Sequence, residues 1–183
     1  MKVMDMLVEV PDGDELDDGL LTVNDVLRMP PRRGYRFELH EGVLRMTPPP
    51  AWKHQRAAYR IERFFDDAGR AMCHENGIRF DGRNYRIPDV LVLRQDVELD
   101  EERSVHPPEI FEILVEVVSP SSVEEDQLVK AKLYAKAGIP QYWRIEPRQA
   151  GYVVVIGHLQ DGQYATVREV PLDELLAGGG GLG

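Results

Sequence analysis

ILVEVVSPSS, residues 113–122, sets a carboxylate in the middle of a run that otherwise reads as buried β-strand. Ile113, Leu114, Val115, Val117 and Val118 surround Glu116 on both sides. A strand apolar on both faces belongs inside a sheet covered by further layers. An ionised carboxylate there is costly unless a cation or several donors meet it. Glu116 therefore either reaches an edge where water finds it or faces something positive. Period-2 alternation puts Glu112, Leu114, Glu116 and Val118 on one face, with Glu112 near the solvated entry of the strand and Glu116 deeper.

The elements around this strand mix strands and helices, which predicts an α/β or mixed α+β class with a mixed sheet. LLTVNDVLRMPP reads as a short helix capped by Thr22 and stopped by Pro30–Pro31. YRFELHEGVLRMT reads as a hairpin in which Tyr35, Phe37 and Leu39 alternate with Arg36, Glu38 and His40, turning at Glu41–Gly42. A long helix is expected from Ala51 to Met72. Two or three short strands follow in IRFDGRNYRIPDVLVL, then a polar, proline-bearing loop at residues 94–109. SVEEDQLVKAKLYAKAG reads as a second helix, opened by Ser122 and closed by Gly138. QYWRIE, GYVVVIGHL and QYATVREV complete the strands. Residues 20–175 form the expected domain, between an acidic leader at 1–19 and a glycine-rich, disordered tail at 176–183.

Of the 183 residues 43% are hydrophobic, which suits one domain with a substantial core. No apolar run approaches the ~20 residues of a membrane span. The N-terminus lacks a basic-then-apolar signal pattern. Cys73 stands alone, so no internal disulfide forms, in keeping with a reducing cytoplasm. The net charge of −10 argues at first against a nucleic-acid partner, but its distribution does not. Residues 1–18 carry seven acids against Lys2, leaving −4 for the other 165 residues. Local basic patches are compatible with that balance.

Three more residues break the pattern of their elements. With Lys130 at 0° and about 100° per residue, Val123, Leu133, Tyr134 and Ala137 fall within about 60° of it, while Glu124, Glu125, Lys132 and Lys136 fall opposite. Lys130 thus centres the stripe that faces the sheet; the alternative is a lysine snorkelling at the helix edge. His54 shares a stripe with Ala57, Ala58, Ile61 and Phe65, as an ordinary core histidine would. Arg56, Arg60 and Arg63 form the opposite face, either plainly solvated or tracking a phosphate backbone. Asp89 follows Pro88 and opens the strand VLVL, where by itself it reads as a cap or turn residue.

Taken together these residues suit a hard divalent cation. Asp89 and Glu116 on neighbouring strands would hold Mg²⁺ through oxygen ligands, with a backbone carbonyl beside Glu116 as a further donor. Lys130, projecting from the next helix, would neutralise the site and contact a developing oxyanion. Such a set suits metal-assisted phosphodiester hydrolysis.

Pro88-Asp89, Glu116 within LVEVVSPSS, and Lys130 and Tyr134 ahead of AGIPQYWRI resemble the Uma-two family of restriction-endonuclease-like proteins in the PD-(D/E)xK nuclease superfamily. FELHEG with Glu38, PPPAWKHQ with His54 and the Tyr142–Trp143 pair extend the resemblance over roughly residues 20–170. It implies a restriction-endonuclease-like core of mixed sheet flanked by helices, and Mg²⁺-dependent (or Mn²⁺-dependent) DNA cleavage with Asp89 and Glu116 as metal ligands. The superfamily lysine usually stands two residues after the acid; that position is Val118 here, and Lys130 on the following helix matches in its place. Glu38 is either a third carboxylate or the solvent face of a hairpin, and His54 would orient water or contact phosphate. A cytoplasmic homodimer acting on DNA, with no membrane partner, is the expectation. A catalytically inactive module that binds nucleic acid or protein is the alternative.

Overall fold

The computed structural model describes residues 19–100, 102–120 and 122–178, so the acidic leader and most of the glycine-rich tail lie outside the described residues. The first helix, α1 (Val23–Arg28), opens on a capping box in which Thr22 and Asp25 exchange side-chain and backbone hydrogen bonds. It is followed by the hairpin β1 (Arg36–His40) and β2 (Val43–Thr47). The hairpin turns through Glu41 and Gly42, both at positive φ (48° and 80°). Those angles give the turn the twist of the flanking strands. Gly42 is also needed for space, since a Cβ there would lie 2.7 Å from Leu20 Cβ.

Helix α2 (Trp52–Asp67) ends earlier than its periodicity suggested: Met72–Cys73 is a short strand, β3. Then come β4 (Gly77–Arg79), β5 (Tyr85–Arg86) and β6 (Val90–Leu93). The expected loop at 94–109 contains a two-residue strand, β7 (Val105–His106), and the start of a 3₁₀ turn, Pro108–Ile110. The central strand is β8 (Phe111–Val117). A π-helical turn (Glu125–Val129) leads into α3 (Lys130–Lys136), and Gly138 ends it at φ 75°. A meander, β9 (Gln141–Arg148), β10 (Gly151–Gln160) and β11 (Gln163–Pro171), precedes α4 (Leu172–Ala177), a helix the sequence reading did not anticipate. No helix among the described residues is long and apolar enough to cross a membrane.

The class is mixed α+β, as expected, but the strands form two mixed sheets rather than one. The larger runs β11-β10-β9-β8-β6-β3 and the smaller β2-β1-β5-β4-β7. In the larger sheet β8 and β9 are parallel, and the other pairs are antiparallel. A parallel neighbour requires a crossover, and the π turn with α3 supplies it. The segment bearing Lys130 is thereby forced back over the sheet beside β8.

Strand β8 is buried on both faces, as its composition required. Ile113, Val115 and Val117 join Ala57, Ile61, Phe64 and Phe65 of α2, with Trp143 and Ile145, in one core. Leu114 joins Tyr134, Ile139 and Tyr142 in a second core under α3. A third cluster, Val23, Val26, Leu39 and Tyr85, seats α1 on the smaller sheet. Between β5 and β6 the chain passes from one sheet to the other through Ile87, Pro88 and Asp89.

Candidate functional site

Asp89 and Glu116 meet because β6 and β8 run antiparallel with Val90 opposite Val115. One step further along that register sets Asp89 beside Glu116, at the end of the sheet where the smaller sheet joins. Asp89 Oδ2 accepts the Val117 N–H at 2.8 Å and lies 3.3 Å from His54 Nε2. Its Oδ1 accepts from Arg36 Nη1 at 3.3 Å, and Arg36 Nη2 reaches Glu75 Oε1 at 3.0 Å. Burial alone would raise the proton affinity of Asp89. The hydrogen bond and charge of His54, the charge of Lys130 and the Val117 N–H outweigh it and hold the carboxyl below its usual range.

Glu116 is 3% exposed and Lys130 7%. The Lys130 ammonium lies 2.9 Å from Glu116 Oε2 and 3.3 Å from Asp126 Oδ1. Glu116 Oε1 accepts the Tyr134 hydroxyl at 2.8 Å. Burial pushes the Glu116 carboxyl well above its ordinary range; Lys130 opposes this, while Asp89, Asp126 and Glu38 reinforce it. Lys130 is held in its charged form: burial works against the charge, but Glu116, Glu38, Asp126 and Asp89 together prevail. The opening anomaly of the sequence thus has a physical answer. A lysine waits for the buried carboxylate.

Glu38 does not face solvent, contrary to one of its two readings. It is buried, and its Oε1 accepts the Ile87 N–H at 2.7 Å. That bond fixes the crossing segment that delivers Asp89. The polar side of the β1 strand faces the junction of the two sheets, which alternation alone does not reveal. His54 reaches Asp89 from α2, on the opposite side of the sheet from α3. All five residues singled out from the sequence therefore lie at one locality.

The helical wheel needs correction. Val123, placed on the stripe of Lys130, is 42% exposed, whereas Asp126 is 2% exposed. The π turn accounts for Val123: the Lys130 N–H bonds the Glu125 carbonyl five residues back, which shifts the phase of the residues before the turn, while Asp126 at i,i+4 stays on the lysine's face. Asp126 accepts a hydrogen bond from Ser122 Oγ as well as pairing with Lys130. Its signal was the i,i+4 spacing of acid and lysine. Arg36 was missed too; a surface arginine on a hairpin carries no mark of the acid it meets from another strand.

The donors suit a hard cation in kind: carboxylate oxygens in negative excess, with no sulfur among them. Among the described residues no three His, Cys, Asp or Glu side chains converge as a complete cage. Mg²⁺ commonly takes only one or two carboxylates and completes its shell with water and phosphate. On that chemistry Asp89 and Glu116 are the residues that would hold such an ion, with the Lys130 ammonium beside Glu116.

Residues 23–181 match the Uma2 family, described as "Putative restriction endonuclease", and the chain belongs to that family. Among solved structures the chain resembles one described as a "putative nuclease belonging to DUF820 from Anabaena variabilis ATCC 29413", with a TM-score of 0.64. The two are 16% identical, the match covering 86% of this chain and 98% of the other, so the likeness is one of fold. No curated protein matches the chain.

Proposed function

We propose that this Uma2-family chain is a Mg²⁺-dependent endonuclease that hydrolyses DNA phosphodiester bonds. What carries the reading is the meeting of Asp89, Glu116 and Lys130, three groups far apart in sequence, at one end of one sheet. Asp89 and Glu116 would hold the ion, and Mn²⁺ would substitute for it. When bound, the ion supplies Lewis-acid polarisation of the phosphoryl oxygen and a more acidic water. The Val117 N–H and His54 hold Asp89 ionised and oriented. Tyr134 fixes one oxygen of Glu116. Lys130 brings a permanent positive charge to the place where negative charge develops on the phosphoryl group. Glu38 holds the crossing segment, and His54 would also meet phosphate or water. Cleavage of both strands calls for two such centres, which a symmetric cytoplasmic dimer would supply.

A second reading has its own observation. Every carboxylate oxygen of Asp89 and Glu116 already has a protein partner: Arg36, His54, the Val117 N–H, Lys130 or Tyr134. A network satisfied in this way also serves a module that binds nucleic acid or protein without cutting.

The deciding experiment incubates circular duplex and single-stranded DNA with the full chain in Mg²⁺, Mn²⁺ or chelator, and measures ion binding by calorimetry. Cleavage that needs the ion and falls at least about a hundredfold in Asp89→Asn, Glu116→Gln and Lys130→Met supports the nuclease. Parent-like cutting by all three variants, or a parent that neither binds the ion nor cuts, overturns it.

A further inference from the structure

Beside the acids lies a groove of about 310 Å³, walled by α1 and the turn that follows it on one side and by the smaller sheet on the other. Its lining includes Leu27, Met29, Tyr35, Phe37 and Ile87, with Arg32 at its rim and the Arg36–Glu75 pair at its end. We propose that this groove receives an unpaired nucleotide of a DNA strand next to the scissile phosphate. The proposal rests on the nuclease reading for the position of that phosphate and deepens it by naming the form of substrate.

Four observations carry it. First, the groove ends at the acids: Arg36 lines it and bonds Asp89, while Ile87 stands two residues before Asp89. Second, the segment that walls it on one side is basic, while Glu75 at its end is held by Arg36. Residues 26–36, VLRMPPRRGYR, hold Arg28, Arg32, Arg33 and Arg36 and no acid, in a protein of net charge −10. Arg32 and Arg33 make no ion pair among the described residues, so both are available to phosphate. Third, an aromatic surface is set out under a cation: Tyr35 is 42% exposed, and the Arg32 guanidinium lies 5.0 Å from its ring centroid. Fourth, the floor is apolar, and Leu27 is left 38% exposed within it.

Those features discriminate between forms of DNA. A duplex presents phosphates and base edges while its base faces stay covered by their neighbours. Phosphates gain nothing from Leu27, Met29, Phe37 or Ile87. An unpaired base offers two bare faces, one for the Tyr35–Arg32 surface and one for the apolar floor, while Arg33 and Arg28 are left for the backbone. The volume is at the low end of about 300–1,000 Å³ for small-molecule sites, room for a base and its sugar rather than a helix.

The test is fluorescence anisotropy of the full chain with labelled single-stranded DNA, the same strand as duplex, and the same sequence as RNA, in chelator to prevent cutting. Single-stranded DNA is expected to bind at least about tenfold tighter than duplex, and Tyr35→Ala and Arg32→Ala each to lose about tenfold on the single strand only. Calorimetric ion binding in both variants should match the parent, since neither residue touches the acids. Equal or tighter binding of duplex, tighter binding of RNA, or unchanged single-strand binding in both variants overturns the proposal. The nuclease reading fails separately: a chain that binds no ion and cuts nothing, yet binds single strands through Tyr35, keeps the groove and loses the chemistry.

Discussion

The Lys130 ammonium lies 2.9 Å from Glu116 Oε2, and both side chains are shut away from water. Breaking such a pair from one side strands the other charge, at about 3–5 kcal/mol. Lys130→Met is expected to cost about 3 kcal/mol at neutral pH in urea unfolding, the low end because Glu116 is able to take up a proton.

The same variant carries a pH signature. Burial already raises the Glu116 carboxyl well above 4.5, and without the ammonium it rises further. A group whose folded pKa is raised contributes stability below its unfolded value, and that contribution is lost as pH rises through the folded value. Lys130→Met is therefore expected to lose stability relative to the parent as pH climbs from 5 to 9. A gap that is flat with pH over that range contradicts a protonated Glu116 in the variant.

Asp126 touches Lys130 but neither of the acids that would hold the ion, so it is a positioning residue. Asp126→Asn is expected to lower kcat about tenfold to a hundredfold by loosening the amine. The calorimetric affinity for Mg²⁺ and the KM for DNA should stay near the parent values. A fall in ion affinity equal to the fall in kcat would instead make Asp126 part of the ion's own surroundings.

Glu146 is one contributor to the acid limb of stability. Burial raises its carboxyl, but hydrogen bonds from Arg144 and Arg148 outweigh burial and bring it below 4.5. A lowered carboxylate contributes stability above its unfolded pKa and loses it as pH falls through the folded value. Glu146→Gln should cost about 1–2 kcal/mol at pH 7 and flatten the decline below pH 4.5. Urea midpoints at pH 3, 4 and 7 check both statements.

Gly77→Ala tests the smaller sheet. A Cβ on Gly77 would stand 2.2 Å from the Tyr85 ring, which is buried between β4 and α1. Displacing it should cost about 1–3 kcal/mol, and Gly77→Ala/Tyr85→Leu should recover part of that loss.

Most of the larger sheet was legible because its strands are apolar runs bounded by turn residues, and β8 above all could be nothing but central. Asp89, Glu116 and Lys130 stood out for one reason: each is a charge where the surrounding pattern asks for none. Glu38 and Asp126 were harder because both sit among polar neighbours on elements that look half solvated. Glu38 is buried only because its strand, in the smaller sheet, faces the junction with the larger one, a fact of topology that no local pattern encodes. Asp126 stands four residues before Lys130 on the same helical face, but it closes the acidic run Glu124–Asp126, which looks solvated as a whole. The helix Leu172–Ala177 escaped notice because six residues before a glycine run hold too few turns to show a period.

The widened turn has a consequence for how this protein tolerates change. Ordinary winding would bring Val123 onto the stripe of Lys130; the widened turn leaves it outward while Asp126, four residues before the amine, keeps its contact. Glu124 and Leu128 are free to vary there, whereas Ser122, Asp126 and Gln127 each hold a hydrogen bond or ion pair. This short span has to keep its length together with the side chains that tie it down.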